Sequence, residues 1–153
     1  MEFDHSFSVA APIDVVWAAM TDIGRIAPCV PNARVTGRAG ADSYDVEVTF
    51  AVGPLETTAE RTVTLTERDD DGHHEVLTVV NKDSDVDTPA DATITIVLTQ
   101  AADRTDAAMR SIVEVSGVAA LIGEDALADF AVDTVATFAV NLETLLAQAP
   151  RPA

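Results

Sequence analysis

The sequence has few of the residues that mark secreted or nucleic-acid-binding proteins. Cys29 is its single cysteine, so no internal disulfide can form and a reducing compartment fits. Basic residues are also scarce, with 9 Lys and Arg against 26 Asp and Glu, which gives a formal net charge of −17. Phosphate backbones repel such a chain, so a nucleic-acid partner is excluded. The acidic surface has two interpretations that composition leaves open, either solubility or a docking face for a basic partner.

Long apolar runs are absent as well. No uncharged stretch approaches the roughly 18–20 residues that cross a bilayer. Glu2 and Asp4 stand where a signal peptide would carry basic residues and then an apolar block, so a cytoplasmic location is expected. The 153 residues are 48% apolar and predict one globular domain over residues 1–149. Residues 150–153 are Pro-rich, and we expect them to begin a linker to a natural tail.

Alternating apolar and polar residues predict strands along most of the chain. The pattern runs through residues 2–9, 44–52, 62–66, 75–82, 93–99 and 109–116, with turns at 53–54 and 69–72. Between the first two of these, Pro12 and Asp14 favour the start of a short helix, and a second short helix is expected over residues 22–28. We expect about seven strands in all, of which the six segments above are the clearest, and the tight turns predict an antiparallel sheet.

The last element is the strongest helix signal. Residues 124–148 contain no Gly or Pro, and apolar residues recur there at spacings of three and four. The predicted fold is therefore α+β, with a curved antiparallel sheet around one long C-terminal helix. Aromatics are only 5% of the chain, and small residues occupy much of the helix's inward face, so we predict an internal apolar cavity.

The side chains expected to line this cavity share the inward faces of the sheet and the long helix. They are Tyr44, Val46, Val48, Phe50, Val63, Leu77, Val79, Ile94, Ile96, Met109 and Val113 on strands, with Phe130, Thr134 and Phe138 on the helix. The entrance is expected between the second short helix and the start of the long one, near Ile23, Ile26, Val30, Leu121 and Ile122. Ordinary core packing is the alternative for each residue.

The remaining candidates for chemistry favour structural roles. Trp17 is expected to anchor the first helix, and Cys29 in its Pro-rich turn to be a structural thiol. The pair His73–His74 and the acidic residues 83–87 resemble metal ligands only loosely and are interpreted as turns. On the inward faces only Tyr44 and, if it turns inward, Arg61 are titratable, so a catalytic role is not expected.

Six segments carry a family resemblance that covers essentially the whole chain. They are the opening strand with the helix entry Pro12-x-x-x-Val16-Trp17, then Asp22, Cys29-Val30-Pro31-Asn32-Ala33, Val52-Gly53-Pro54-Leu55, Val113–Gly117 with Leu121–Gly123, and Phe138-x-x-Asn141-Leu142-Glu143. Together they resemble the CoxG-like family of carbon monoxide dehydrogenase, which belongs to the START-related helix-grip superfamily called SRPBCC. The chain departs from the family pattern with Asn32 in place of glycine, and at Ala59 and Arg61, which leaves the cavity's shape open.

The resemblance implies a non-catalytic accessory protein of a carbon monoxide dehydrogenase-type molybdenum hydroxylase. The resemblance also implies that such a protein brings the enzyme to the inner face of the cell membrane and links it to the quinone pool. A tail beyond residue 153 is expected to make the membrane contact. The bound ligand is then expected to be a respiratory quinone, menaquinone above all, or a similar lipid. Burying its polyprenyl tail returns about 25 cal/mol per Å². Two alternatives stay open: a recruitment adaptor with no ligand, or a small cyclase or hydrolase of the same superfold.

Overall fold

The computed structural model describes residues 2–52, 55–81, 92–114 and 124–148. Seven strands form one antiparallel sheet in the order β1-β7-β6-β5-β4-β3-β2. The strands are β1 (Glu2–Val9), β2 (Ala33–Gly40), β3 (Ser43–Val52), β4 (Leu55–Asp69), β5 (His74–Asn81), β6 (Ala92–Ala101) and β7 (Arg104–Val113). The helices are α1 (Ile13–Met20), α2 (Ile23–Ile26) and α3 (Glu124–Gln148). The predicted sheet and long helix are confirmed.

The two short helices connect opposite edges of the sheet. α1 follows Pro12, which occupies the N-cap and not the first helical position, and Asp14 lies in its first turn. The Asp22 carboxylate then accepts a hydrogen bond from the Arg25 backbone N–H at the start of α2. A 3-10 turn over Ala27–Cys29 contains Pro28 and ends this segment. Asn32 adopts a positive φ of 66°, which Asn tolerates better than most residues and which explains how it replaces glycine here.

Two strands differ from their predicted bounds. β4 extends over Leu55–Asp69, well beyond residues 62–66, and β7 starts at Arg104 and not at 109. Threonines, alanines and charged residues fill the added segments, so apolar alternation does not reveal them. Their strand conformation comes from pairing with β3, β6 and β1. Beyond Val113, residues 115–116 of the predicted last strand lie outside the described residues.

The main core lies where α1, α2 and the C-terminal half of α3 meet the sheet. Val9, Val16, Met20 and Leu142 are almost completely buried there. By length and apolar composition alone, Asp125–Ala147 could cross a membrane, a property that the central helix of a soluble domain also has. Here the helix packs against β1 and the 3-10 turn.

Asn141 ties α3 to the 3-10 turn. Its side-chain Nδ2 donates a hydrogen bond of 2.9 Å to the Cys29 carbonyl oxygen, in a partly buried position. We expect Asn141→Ala to lower the free energy of unfolding by about 1–2 kcal/mol, because the carbonyl loses its partner. Urea denaturation measures this loss. Thr144→Ala is the matched control, since the exposed Thr144 hydroxyl bonds only within the helix, to the Val140 carbonyl oxygen. Equal stabilities for the two variants would contradict this role.

Candidate functional site

The strand register places the predicted cavity residues on one face of the sheet. Tyr44 pairs with Val63 and Val63 with Val79, and further along Ile96 pairs with Met109. Directly paired residues point to the same side of a sheet, so these rows share a face. By the same register, the remaining predicted strand positions belong to this face. They are Val46, Val48, Phe50, Leu77, Ile94 and Val113. Arg61 pairs with Val46 and therefore lies on this face as well.

α3 approaches this inward face unevenly. Among the described residues its most extensive backbone contacts are with β1 and the 3-10 turn, and it also reaches β3, near the opposite edge. On the β1 side the Phe138 and Phe7 rings meet edge to face, with 5.8 Å between centroids. On the central strands, the inward Val63, Ile94 and Met109 are only partly buried. The helix therefore contacts the flanks of the curved sheet. Of the predicted lining on the central strands, Leu77 and Ile96 are buried in the core, whereas Val63, Ile94 and Met109 keep some accessible surface.

The helical members of the predicted set are also partly buried. Phe130, Thr134 and Phe138 lie at intermediate exposure along α3. The Thr134 hydroxyl donates to the Phe130 carbonyl oxygen at 2.8 Å, so its hydrogen-bonding need is met within the helix. An apolar ligand beside Thr134 would therefore meet its methyl group without leaving the hydroxyl unpaired.

An open pocket of about 320 Å³ lies between the α1–α2 connection and the β2–β3 hairpin. It is lined by Thr21, Asp22, Ile23, Arg38, Ala41, Asp42, Tyr44 and Leu65. Of these, the sequence predicts Ile23 at the entrance and Tyr44 in the cavity. Ile26 is buried and Val30 partly buried beside this region, whereas Leu121 and Ile122 lie outside the described residues.

Tyr44 forms one wall of the pocket and is held from two sides. A methyl group added at Gly24 would lie 3.0 Å from the Tyr44 ring, so the glycine permits this close approach. On the other side the Arg38 guanidinium lies 5.5 Å from the ring centroid, within cation–π range. The pocket mouth is thus polar at its rim, while Leu65 and the Tyr44 ring continue into the inward face of the sheet.

Glu75 is the residue that sequence reasoning missed. Its side chain is completely buried, and neither carboxylate oxygen has a hydrogen-bond partner among the described residues. It pairs with Ile96 and precedes Leu77 by two, which places it on the inward face. Burial raises the pKa of the Glu75 carboxyl to about 8, and the opposing effect of the Arg68 charge is smaller. The group is therefore mostly protonated at neutral pH.

His5 is a second polar group on this face. It pairs with Met109, and its buried Nε2 has no hydrogen-bond partner among the described residues. The expectation that only Tyr44 and Arg61 are titratable on the inward face was therefore wrong. The signal was in the sequence, because His5 alternates in step with Phe3, Phe7 and Val9.

Trp17 anchors α1 as predicted. It is 7% exposed, and its indole Nε1 donates to the Asp70 carboxylate at 2.9 Å. The Arg68 Nε donates to the same carboxylate oxygen at 2.7 Å. These two hydrogen bonds hold the pKa of Asp70 below its usual range, and the bond from Arg68 has the larger effect. His73, which occupies a turn and not a strand, packs its ring edge to face on Trp17 at 5.4 Å.

Cys29 has the environment of a structural thiol. It is buried, and burial raises its pKa despite the nearby Arg25 charge, which disfavours the nucleophilic thiolate. The described ranges contain no group of three or more His, Cys, Asp or Glu side chains placed to hold a metal ion. The acidic residues 83–87 lie outside those ranges.

Solved structures of similar fold span nearly the whole chain. A conserved protein from Geobacillus kaustophilus superposes with a TM-score of 0.81 at 18% identity, covering 97% of this chain and 96% of that one. A START superfamily protein from Mycobacterium smegmatis gives 0.61 at 13% identity, with 96% and 97% covered. The Zhui aromatase/cyclase from Streptomyces sp. R1128 gives 0.55 at 18% identity, with 95% and 90% covered. At these identities the likeness establishes the START-type fold.

The family follows from a direct sequence match. No curated protein matches this chain. The family model for CoxG, a subunit of carbon monoxide dehydrogenase, matches residues 6–147, which run from within β1 to the last residue but one of α3. The chain therefore belongs to the carbon monoxide dehydrogenase CoxG family.

Proposed function

We propose that this protein is a non-catalytic accessory protein of a carbon monoxide dehydrogenase-type molybdenum hydroxylase, and that it carries a respiratory quinone, menaquinone in the first instance. The observation that supports a ligand is the uneven approach of α3, which leaves the inward Val63, Ile94 and Met109 only partly buried. Membership of the CoxG family supports the association with the enzyme. The proposed place of action is the cytoplasmic face of the membrane, where the enzyme meets the quinone pool.

The physical case for a carrier is that a polyprenyl quinone is almost insoluble in water. Each Å² of its apolar surface moved from water into an apolar interior returns about 25 cal/mol. The inward face offers aliphatic side chains along its central strands, and Ile23, the Tyr44 ring and Leu65 contribute apolar atoms to the pocket lining. A ligand entering through this pocket would leave the polar rim of Asp22, Arg38 and Asp42 in water.

A second candidate is a cyclase of the same superfold, favoured by the likeness to the Zhui aromatase/cyclase and by the inward Glu75 and His5. The register weighs against it. Glu75 pairs with Ile96, Ile96 with Met109 and Met109 with His5, so the two polar groups stand three strand spacings apart. At about 4.8 Å per spacing their backbones are roughly 14 Å apart along the sheet, a separation that does not favour joint action of the two side chains on one bond.

The proposal predicts that the protein carries quinone when purified from a host that makes menaquinone. Native mass spectrometry should show one ligand mass per chain, and solvent extraction should identify it as a polyprenyl quinone. Membrane vesicles that contain menaquinone and the molybdenum enzyme should then show carbon monoxide-dependent quinone reduction only when this protein is added.

Two results would contradict this function in different ways. A protein that is empty and fails to take up added menaquinone is not a carrier. A recruitment adaptor without a ligand would then be the better interpretation. A polyketide or other small aromatic found in place of a quinone would favour the cyclase. Protein from a host that lacks menaquinone is the control for ligand acquired during purification.

A further inference from the structure

The buried Glu75 carboxyl makes no hydrogen bond to the cation that lies beside it. The nearest cation on its face is Arg68, its cross-strand neighbour on β4. Arg68 bonds Asp70 at 2.7 Å, and its side chain is 48% exposed. Both Glu75 oxygens are thus left without a hydrogen bond among the described residues. Buried polar groups are almost always satisfied, so an unsatisfied one calls for a partner from outside the chain.

The position of Glu75 relates it to the open pocket. Leu65, which lines the pocket, pairs with Leu77, and Glu75 stands two residues before Leu77 on the same face. Such diagonal neighbours on a sheet lie about 7–8 Å apart. Leu65 therefore lies between the pocket and Glu75. On the far side α1 covers β6, and the Trp17–Asp70 hydrogen bond holds that helix in place.

The chemistry of the site favours a hydrogen-bond acceptor within an otherwise apolar molecule. The neighbours of Glu75 on its face include Ile96, Leu77 and Leu65, which offer no polar atoms. A neutral carboxyl has one O–H to donate, and a ring carbonyl accepts it without bringing a charge into the interior. A ligand anion would instead require a cation here, and Arg68 is already paired.

We propose that the Glu75 carboxyl donates a hydrogen bond to a ring carbonyl of the quinone, which reaches it from the pocket past Tyr44 and Leu65. This inference rests on the proposed carrier function and adds the group that orients the head of the ligand. Glu75 is fully buried and does not line the pocket, so the proposal requires Leu65, which lies between them, to move when the ring enters. The hydrogen bond distinguishes a quinone from other apolar molecules of similar size.

The test compares two probes, a short-chain menaquinone and the same prenylated naphthalene without ring carbonyls. Binding is measured by quenching of Trp17, the single tryptophan of the protein. The wild type should bind the quinone about tenfold more tightly than the naphthalene, the usual effect of one net hydrogen bond. Glu75→Leu should abolish this preference, whereas Glu75→Gln should keep much of it because the amide also donates. Glu67→Leu, at an exposed glutamate on β4, is the matched control.

A second readout separates hydrogen bonding from packing. Isotope-edited infrared spectra of the bound quinone should show one carbonyl band lowered in the wild type and restored in Glu75→Leu. A wild type that binds both probes equally, or a Glu75→Leu protein that keeps the preference and the lowered band, overturns this inference and leaves the carrier function standing. A wild type that binds neither probe overturns both.

Discussion

Replacing Glu75 with glutamine should stabilise the protein at pH 7 by about 3 kcal/mol. Folding raises the pKa of this carboxyl from 4.5 to about 8 through burial. At pH 7 the unfolded chain ionises Glu75, so folding must return a proton to it, at about 1.4 kcal/mol for each pH unit above the unfolded pKa. Glutamine has nearly the same shape and no charge to neutralise. Urea denaturation of both proteins measures the difference.

The same substitution should remove a pH dependence. Between the unfolded pKa of 4.5 and the folded value of about 8, the native state holds one proton more than the unfolded state. The wild-type free energy of unfolding should therefore fall as pH rises through this window, and the loss from this group should be complete above about pH 8. Below about pH 4 the two proteins should be equally stable. Glu75→Gln should lack this slope.

A matched control separates Glu75 from the rest of a very acidic chain. Net charge alone makes stability depend on pH, and Glu67→Gln removes the same charge from an exposed position of β4. It should change stability by less than about 0.5 kcal/mol and keep the slope. If Glu75→Gln behaved like Glu67→Gln, the carboxyl would be ionised in the native state and would have a partner or water that satisfies it.

Much of the fold was predictable because apolar alternation records which face of each strand is buried. The alternation of Tyr44, Val46 and Val48 indicates their common face without any knowledge of how β3 pairs, and α3 matches its predicted bounds of 124–148. The ends of β4 and β7 were not predictable from this signal. Their polar residues become strands because neighbouring strands hydrogen-bond to them, which is a tertiary effect.

The site was less predictable for two reasons. Glu75 alternates in step with Leu77 and Val79, so its parity indicated the inward face, but glutamate is rarely fully buried and it was not among the residues predicted to line the cavity. Its burial is a tertiary effect, because it lies on the inward face of a central strand beside β6, which α1 covers. The sequence predicted Ile23 and Tyr44 near the ligand, but the open pocket also joins the β2–β3 hairpin and Leu65 of β4, and no local pattern could indicate that these segments meet.

Val48→Trp should abolish quinone binding while leaving the fold intact. Val48 is partly buried on the inward face and pairs with Ala33 and Ala59, whose small side chains leave room beside it. If the interior holds a ligand-sized space, the indole fills it, and stability changes by less than about 1 kcal/mol because no close packing is disturbed. Thr134→Trp on α3 should give the same loss from the opposite wall.

The outcome discriminates between a carrier and a filled core. In a tightly packed interior, the added indole would cost about 1–3 kcal/mol of stability or more. In a carrier, the substitution would instead abolish quinone binding. This loss is measured by titration with quinone beside control variants that also add one tryptophan. Val140→Trp supplies that control on α3, where the side chain is 63% exposed, and Ile112→Trp supplies it on the sheet, at 50% exposure. Both should bind quinone as the wild type does. Full binding by Val48→Trp and Thr134→Trp would place any ligand elsewhere and leave the recruitment adaptor as the better account of this protein.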